Sequence, residues 1–394
     1  MEIKILFWAL LFIVFYTYLG YGILLYLIVK MKEVTKKLSN SHMDKEFPHV
    51  TLLVAAYNEE DVTEDKIENS LAMDYPKEKL HLMWVTDGST DNTNAIIERY
   101  PGIELLHQER REGKSAAVNR AIPYIKTPIV IFSDANAMLN REAIKEIVNA
   151  FRDLSVGCVA GEKKVLYKER DSASSSGEGI YWKYESFLKE LDSRLYSAVG
   201  AAGELYAIRT ELYNNVEKSV LLDDFILSMR IAMMGYKIQY CKNAYATEYG
   251  AMDMKEEAKR KVRISAGGLQ SVIMLRALLN IFKYRLLSFQ YISHRVLRWT
   301  ITPVALFLLL PLNITIVFLT ESPLYLFLLI IHLLFYFVSI TGYFLAEKNI
   351  KVKLFFIPYY FMFMNYSVIR GVGYLYKKRG SGVWEKSKRA KIAK

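Results

Sequence analysis

The sequence predicts an α/β protein in which a mainly parallel sheet, covered by helices, is set between membrane-spanning segments. Three observations carry that prediction. Short β-branched and aromatic runs alternate with helical stretches between residues 50 and 152, uncharged apolar runs gather toward the two ends, and three of the short runs end in acidic, turn-forming clusters. The 394 residues suffice for two or three domain-sized units, and 52% hydrophobic with 24% charged residues excludes a disordered or collagen-like chain.

The first element is an anchor. Residues 5 to 29 carry no charge, and about 20 apolar residues cross the hydrocarbon core of a bilayer. The run is too long for a signal peptide, no small-residue cleavage site follows, and Lys30, Lys32, Lys36 and Lys37 come directly after it. Lysines on that side retain it in the cytoplasm, so residues 1–30 are expected to be an uncleaved anchor and the middle of the chain to be cytoplasmic.

Strands are expected at 50–57, 80–86, 103–107 and 128–133, each short, apolar and rich in β-branched or aromatic residues. Helices are expected at 91–99 after Ser89 or Thr90, at 114–122 after Gly113, and at 141–152, where Ile144, Ile147, Val148 and Phe151 share a face. Beyond this succession lie a Ser/Gly-rich loop (171–179), a helix from about 180 to 195, a strand at 204–209 and a helix opening at Asp223. Cys158 and Cys241 have neither paired spacing nor neighbouring histidines, so neither a disulfide framework nor a zinc site is readable.

In an open parallel sheet the ligand sits beyond the carboxyl ends of the strands. There the sequence places Ala56-Tyr57-Asn58-Glu59-Glu60, Asp87-Gly88-Ser89-Thr90-Asp91 and Ser133-Asp134-Ala135-Asn136. Taken singly, each is ordinary turn or cap chemistry. Three acidic clusters on one rim repel one another unless a cation or ligand donors fill the gap, and a hard cation with its phosphate partner suits that gap. The run Arg110-Arg111-Glu112-Gly113-Lys114-Ser115 opens a helix at its positive end and could cradle phosphates, although it lacks the earlier glycine of a Walker A loop.

The series VAAYNEE, VTDGSTDNT, REGKSAAVN, FSDANA, GELYAIR and LLDDFILSMR, in this order, resembles the membrane-bound members of glycosyltransferase family 2, a group that includes poly-N-acetylglucosamine, cellulose and hyaluronan synthases. The resemblance implies a Rossmann-like GT-A catalytic domain over residues 48–255, and transfer of a sugar, with inversion, from a nucleotide diphosphate donor, expected to be UDP-linked, to a growing surface polysaccharide. The same fold adding one sugar to a lipid carrier or glycolipid is the alternative. By this resemblance Ala56, Tyr57, Asn58, Glu59, Asp87, Lys114, Asp134 and Arg263 bind the nucleotide sugar, and Asp134 with Asn136 holds Mg²⁺ or Mn²⁺. Gly203 and Glu204 lie by the acceptor, and Arg260 and Lys261 by the diphosphate. Asp224, paired with Asp223, is the expected catalytic base. Asn136 departs from the Asp-X-Asp pattern, its amide oxygen carrying no formal charge. The Gln-X-X-Arg-Trp position of processive synthases reads Arg260-Lys261-Val262-Arg263-Ile264 here, which keeps the arginine and lacks the stacking tryptophan.

Residues 256–298 mix apolar residues with Arg276, Lys283, Arg285, Arg295 and Arg298, as interfacial amphipathic helices do, and His294 is expected to be structural there. Uncharged runs at 299–320 and 322–346, split by Glu321, read as a transmembrane hairpin over 299–346. The segment 354–376 carries Pro358, Asn365 and Arg370 and is expected to be interfacial or re-entrant, with a fourth span as the alternative. The tail, 377–394, holds eight basic residues against Glu385 and accounts for most of the net charge of +11. That leaves no case for nucleic acid as a partner. A transporter or channel is disfavoured by the lack of an intramembrane acid and by too few spans. The expected partners are the sugar donor, a carbohydrate or lipid-linked acceptor and membrane lipids, and the resemblance also allows a small accessory membrane subunit. The expected location is the plasma membrane, multi-pass, with the catalytic domain cytoplasmic.

Overall fold

A computed structural model describes residues 1–35, 46–166, 172–348, 350 and 352–377. Lys36, Lys37 and the basic tail beyond Lys377, both invoked above, lie outside these residues.

The central sheet has eight strands: β1 (Val50–Ala56), β2 (Leu80–Asp87), β3 (Ile103–Gln108), β4 (Ile129–Asp134), β5 (Met138–Leu139), β6 (Val156–Leu166), β7 (Leu205–Arg209) and β8 (Lys237–Tyr249). Their order is β3-β2-β1-β4-β7-β6-β8-β5. The first four are parallel neighbours, β6 and β8 are also parallel, and β7 is antiparallel to both β4 and β6. The expected strands all form within a residue or two of their bounds, and the mainly parallel sheet is found. Two apolar layers sandwich it. One centres on Leu53, Val130, Phe132, Tyr206 and the helix Asp223–Met233, the other on Leu52, Val54, Ile131 and the helix Ala143–Ala150. That last helix buries Ile144, Ile147 and Val148 on one face, the spacing of a single apolar stripe.

Several local expectations are corrected. The stretch 91–99 yields only the short helix Thr93–Ile97, started by neither Ser89 nor Thr90: Asp91 Oδ1 accepts the Thr93 N–H at 3.0 Å. The Ser/Gly-rich segment is helical from Ser172, in one helix running to Leu195. A helix at Glu60–Leu71, with few apolar residues to mark it, follows β1. Gly200 takes φ +86, where a Cβ would overlap the Phe225 ring, so this turn requires glycine.

Among the described residues three helices, Glu2–Val34, Ile301–Thr320 and Pro323–Glu347, are long and apolar enough to cross a membrane. Polar side chains fasten them: Thr17 Oγ1 to Thr302 Oγ1 at 2.9 Å and Trp8 Nε1 to the Tyr325 hydroxyl at 3.0 Å. The second half of the N-terminal helix docks on the α/β domain, with Tyr21, Leu25 and Val29 packed against Leu188, Leu191 and Leu195. Beside this seam lies a buried ionic cluster. Glu185 meets Arg298 at 3.1 Å and Arg295 at 2.5 Å, Asp192 meets His294 Nδ1 at 2.5 Å, and Tyr21 donates to Asp192. Burial opposes charge on Glu185, but Arg295, His294 and Arg298 hold its carboxyl well below the usual range. His294 is fully buried and structural, as expected.

The helix Met254–Met274, started by Asp253 accepting the Lys255 and Glu256 N–H groups at 2.8 and 2.9 Å, packs into the domain, with short helical turns following it to Trp299. The segment after the hairpin is one unbroken helix, Lys353–Lys377, and not a re-entrant turn. It packs against Met254–Met274, where Ser265 and the Ala266 backbone leave no room for a Cβ at Gly371, and against Pro323–Glu347, where the Phe355 carbonyl does the same at Gly342.

Candidate active site

The register brings the acidic clusters together. Ala56 pairs with Thr86, Ala55 with Asp134, and Asp87 with Gln108, so three strand ends finish on one edge. A cleft of about 280 Å³ opens there, lined by Ala56, Tyr57, Glu59, Asp87, Lys114, Asp134, Asn136, Gly203, Glu204, Asp223, Asp224, Arg260 and Arg263 among others. Residues more than two hundred positions apart thus share one wall.

Each strand-end loop is fixed by backbone hydrogen bonds. Asn58 takes the left-handed conformation (φ 51), accepts the Thr90 N–H at 2.8 Å and donates its own N–H to Ser89 Oγ at 3.2 Å. It therefore ties two loops together and does not line the cleft. Asp87, 4% exposed, accepts the Glu112 N–H at 3.0 Å and the Gly113 N–H at 2.6 Å, which clamps the loop before the helix Lys114–Ala121. The Arg111 guanidinium stacks 3.7 Å over the Tyr57 ring, an arginine that the sequence run had marked only as part of a basic cluster.

Lys114 Nζ reaches Asp134 Oδ1 at 2.6 Å. Burial opposes the ammonium's charge, yet Asp134, Asp223 and Asp224 together push its pKa well above the ordinary lysine range. Opposite stands Asp224, in the first turn of Asp223–Met233. Its Oδ1 accepts the Phe225 N–H at 2.8 Å, and neither it nor Asp223 caps the helix. Burial, then the neighbouring Asp223 charge, raise the Asp224 pKa from 3.8 to about 7, against the pull of Lys114. Gly203 keeps the space between the two groups open, since a Cβ there would stand 3.2 Å from Lys114 Nζ and 3.3 Å from Asp224 Oδ2.

Glu204 reaches the cleft from the β7 turn and pairs with Lys163, which also pairs with Glu248. Its carboxyl is partly buried, which opposes charge, but Lys163 holds its pKa below the usual value. The chain of charges continues through Arg260, 3.5 Å from Glu248, to Glu257 at 3.0 Å. Lys261 and the Tyr360 hydroxyl close it, at 3.4 and 3.3 Å from Glu257. Burial would raise the Glu257 pKa, but Lys261 and Arg260 hold it down to about 2. Arg260, Arg263 and Ile264 share the helix face that meets the cleft, whereas Lys261 lies a hundred degrees round and packs near Tyr181 and Tyr360. Lys261 is thus turned away from the place expected for a diphosphate. Lys163 and Glu248, on strands β6 and β8, had no sequence signal because their partners are distant in the chain.

Asp134 and Asn136, both half-buried, present the oxygen atoms that could hold a divalent cation, with Lys114 engaging Oδ1 of the carboxylate. Among the described residues no three His, Cys, Asp or Glu side chains are grouped to hold a metal by themselves. One carboxylate and one amide oxygen fit Mg²⁺ or Mn²⁺ when an anionic ligand and water complete the shell.

The family model of glycosyltransferase like family 2 matches residues 48–267. Over 250 residues the chain is 26% identical to the poly-beta-1,6-N-acetyl-D-glucosamine synthase of Staphylococcus aureus (strain MSSA476), covering 60% of this chain and 58% of that one. To the synthase of the same name from Staphylococcus epidermidis it is 23% identical over 278 residues, covering 68% and 65%. The matches span about three fifths of the length of these curated relatives. Among solved structures, the mannosyltransferase PcManGT from Pyrobaculum calidifontis, in complex with GDP-Man and Mn²⁺, superposes with a TM-score of 0.69 at 23% identity, over 96% of this chain and 99% of that one. The fold is therefore shared from the N-terminal helix to the last apolar helix.

Proposed function

Because the chain belongs to glycosyltransferase family 2, and is thus a glycosyltransferase of GT-A fold, we propose that it transfers a sugar with inversion from a UDP-linked donor to a growing surface polysaccharide, at the cytoplasmic side of a membrane. One observation carries this reading: Asp224, with a pKa near 7, faces the Lys114–Asp134 pair across a single glycine. A base with a pKa near the working pH can take the acceptor's hydroxyl proton as the new C–O bond forms. Lys114, Arg260 and Arg263 supply positive charge where the diphosphate leaves, which stabilises the charge that develops there. Asp134 and Asn136 would hold Mg²⁺ or Mn²⁺, which when bound neutralises the diphosphate further. Tyr57, Glu59 and Asp87 lie on the side of the nucleoside. Gly203 and Glu204 lie on the side of the acceptor, with Asp223 tuning the base.

The relatives named for poly-N-acetylglucosamine synthesis support a polymerising role. Addition of one sugar to a lipid carrier is favoured by a different observation: Ile264, and no aromatic ring, stands on the cleft wall at the position of the processive enzymes' tryptophan. On this reading the helix Lys353–Lys377, which packs against both Met254–Met274 and Pro323–Glu347, lies at the membrane interface, with a fourth span as the alternative. The test is to incubate the purified full chain with radiolabelled nucleotide sugars and to size the product. A ladder or long polymer supports the first reading, a single added sugar supports the second, and no transfer from any nucleotide sugar refutes both.

A further inference from the structure

The helix Glu60–Leu71 carries a lysine, Lys66, that solvent does not reach (0% exposed). Among the described residues its Nζ has no carboxylate within 4.0 Å. It donates instead to Ser133 Oγ at 2.8 Å and to the Ala137 carbonyl. These two acceptors bracket Asp134, Ala135 and Asn136 in the chain. Ser133 Oγ in turn lies 3.1 Å from the Glu204 carbonyl, and one turn along the same helix Asn69 pairs with both backbone groups of Leu139, at 2.8 and 2.9 Å. Thus one helix face grips the segment 133–139 at Ser133, Ala137 and Leu139.

Packing alone does not call for a lysine at this place. Taking an ammonium out of water without a paired carboxylate is costly, and a methionine would fill nearly the same volume without that cost. Burial already pushes the Lys66 pKa down to about 7, with Asp134 acting in the opposite direction.

We propose that Lys66 is a positioning residue that staples both ends of the loop Asp134–Asn136 and, through Ser133, ties that loop to the turn bearing Glu204, so that the donor and acceptor sides of the cleft keep a fixed spacing. The inference rests on reading Asp134 and Asn136 as the residues that hold the metal of a donor complex. Groups that orient metal ligands from behind typically matter by about 10- to 100-fold in metal affinity.

The test uses the full chain in detergent or nanodiscs. Binding of Mn²⁺ is followed by electron paramagnetic resonance with and without UDP, alongside the thermal midpoint, for the unaltered protein, Lys66→Met and Ser133→Ala. The expected result is a midpoint unchanged or raised in Lys66→Met with UDP-dependent Mn²⁺ affinity about tenfold weaker, and a smaller loss of the same sign in Ser133→Ala. Undiminished Mn²⁺ binding in a folded Lys66→Met overturns the inference alone. So does a loss matched by a fallen midpoint while Ser133→Ala binds normally, since that marks a lysine needed only for folding. If Lys66→Met does not fold, Ser133→Ala decides by itself. Absence of UDP-dependent Mn²⁺ binding in the unaltered protein overturns the reading of Asp134 and Asn136 together with the inference.

Discussion

Lys114 Nζ stands 2.6 Å from Asp134 Oδ1, so the carboxylate at the end of β4 is held by a cation from the first turn of the helix Lys114–Ala121. That cation also lowers the Asp224 pKa across Gly203. Lys114→Met should therefore do two separable things. Donor affinity measured by calorimetry should fall about tenfold or more, equivalent to roughly 1.4 kcal/mol, and the acid limb of the residual pH–rate profile should move above pH 7. An unmoved limb would show that Lys114 and Asp224 are not coupled.

Asp224→Asn keeps the side chain's size but cannot accept a proton near neutral pH. Loss of a general base typically costs about 10² to 10⁴ in rate, while donor binding should stay normal. If donor binding is lost as well, Asp224 belongs to the nucleotide side of the cleft; if turnover survives, Asp223 or Glu204 is the base.

The sign of the pH dependence follows from a raised acid. Asp224 rises from 3.8 to about 7 in the fold, so its contribution to stability is complete below the lower value and is lost as pH rises through about 7. Activity runs the other way, increasing as the base loses its proton over the same interval. Asp223→Asn removes the second-largest cause of the shift, so the acid limb should move to lower pH by up to about one unit, as read from kcat against pH.

Sugar transfer should stop on treatment with EDTA and return on addition of Mn²⁺ or Mg²⁺, because the Asp134 carboxylate is itself anionic and Asn136 neutral, so a bound cation is needed between them and a diphosphate leaving group. Asn136→Asp should keep activity and tighten metal binding, whereas Asp134→Ala should lose donor binding. Turnover indifferent to EDTA would leave Lys114, Arg260 and Arg263 as the whole neutralising set.

Protease applied to intact cells should leave residues 60–250 whole, because Lys30 and Lys32 follow the first apolar run and retain that end in the cytoplasm. Fragments cut within this stretch from outside would reverse the orientation.

The first four strands, and the acidic ends of β1, β2 and β4, were legible because local composition alone determines them: buried parallel strands are continuous apolar runs, and turn residues follow them. The strands β6 and β8 were not read from the sequence. Gly161, Lys163 and Lys164 interrupt one and Lys242 and Asn243 the other, since both strands face a polar cleft or solvent for part of their length. Helix Glu60–Leu71 was hidden for a related reason. Its inward face carries Thr63, Lys66 and Ser70 beside a single Ile67, so it shows no apolar stripe. The cleft residues Asp134 and Asp224 could be named from their motifs, but not the roles of Asn58 as a loop tie, of Lys163 as Glu204's partner, or of Lys261 as a side chain turned toward Tyr360. Those depend on register and helical phase between segments far apart in the chain.

Tyr21 and Asp192, which meet at the seam between the first helix and the catalytic domain, are 171 residues apart. At about 5 to 20 residues per second of synthesis, roughly ten to thirty seconds separate their arrival, and His294, 102 residues beyond Asp192, comes later still. The nascent catalytic domain must therefore wait with Glu185 and Asp192 short of their cations until Arg295 and Arg298 emerge. A fragment cut to the sheet and its helices would remain in that waiting state permanently, with two carboxylates facing an apolar seam that nothing covers.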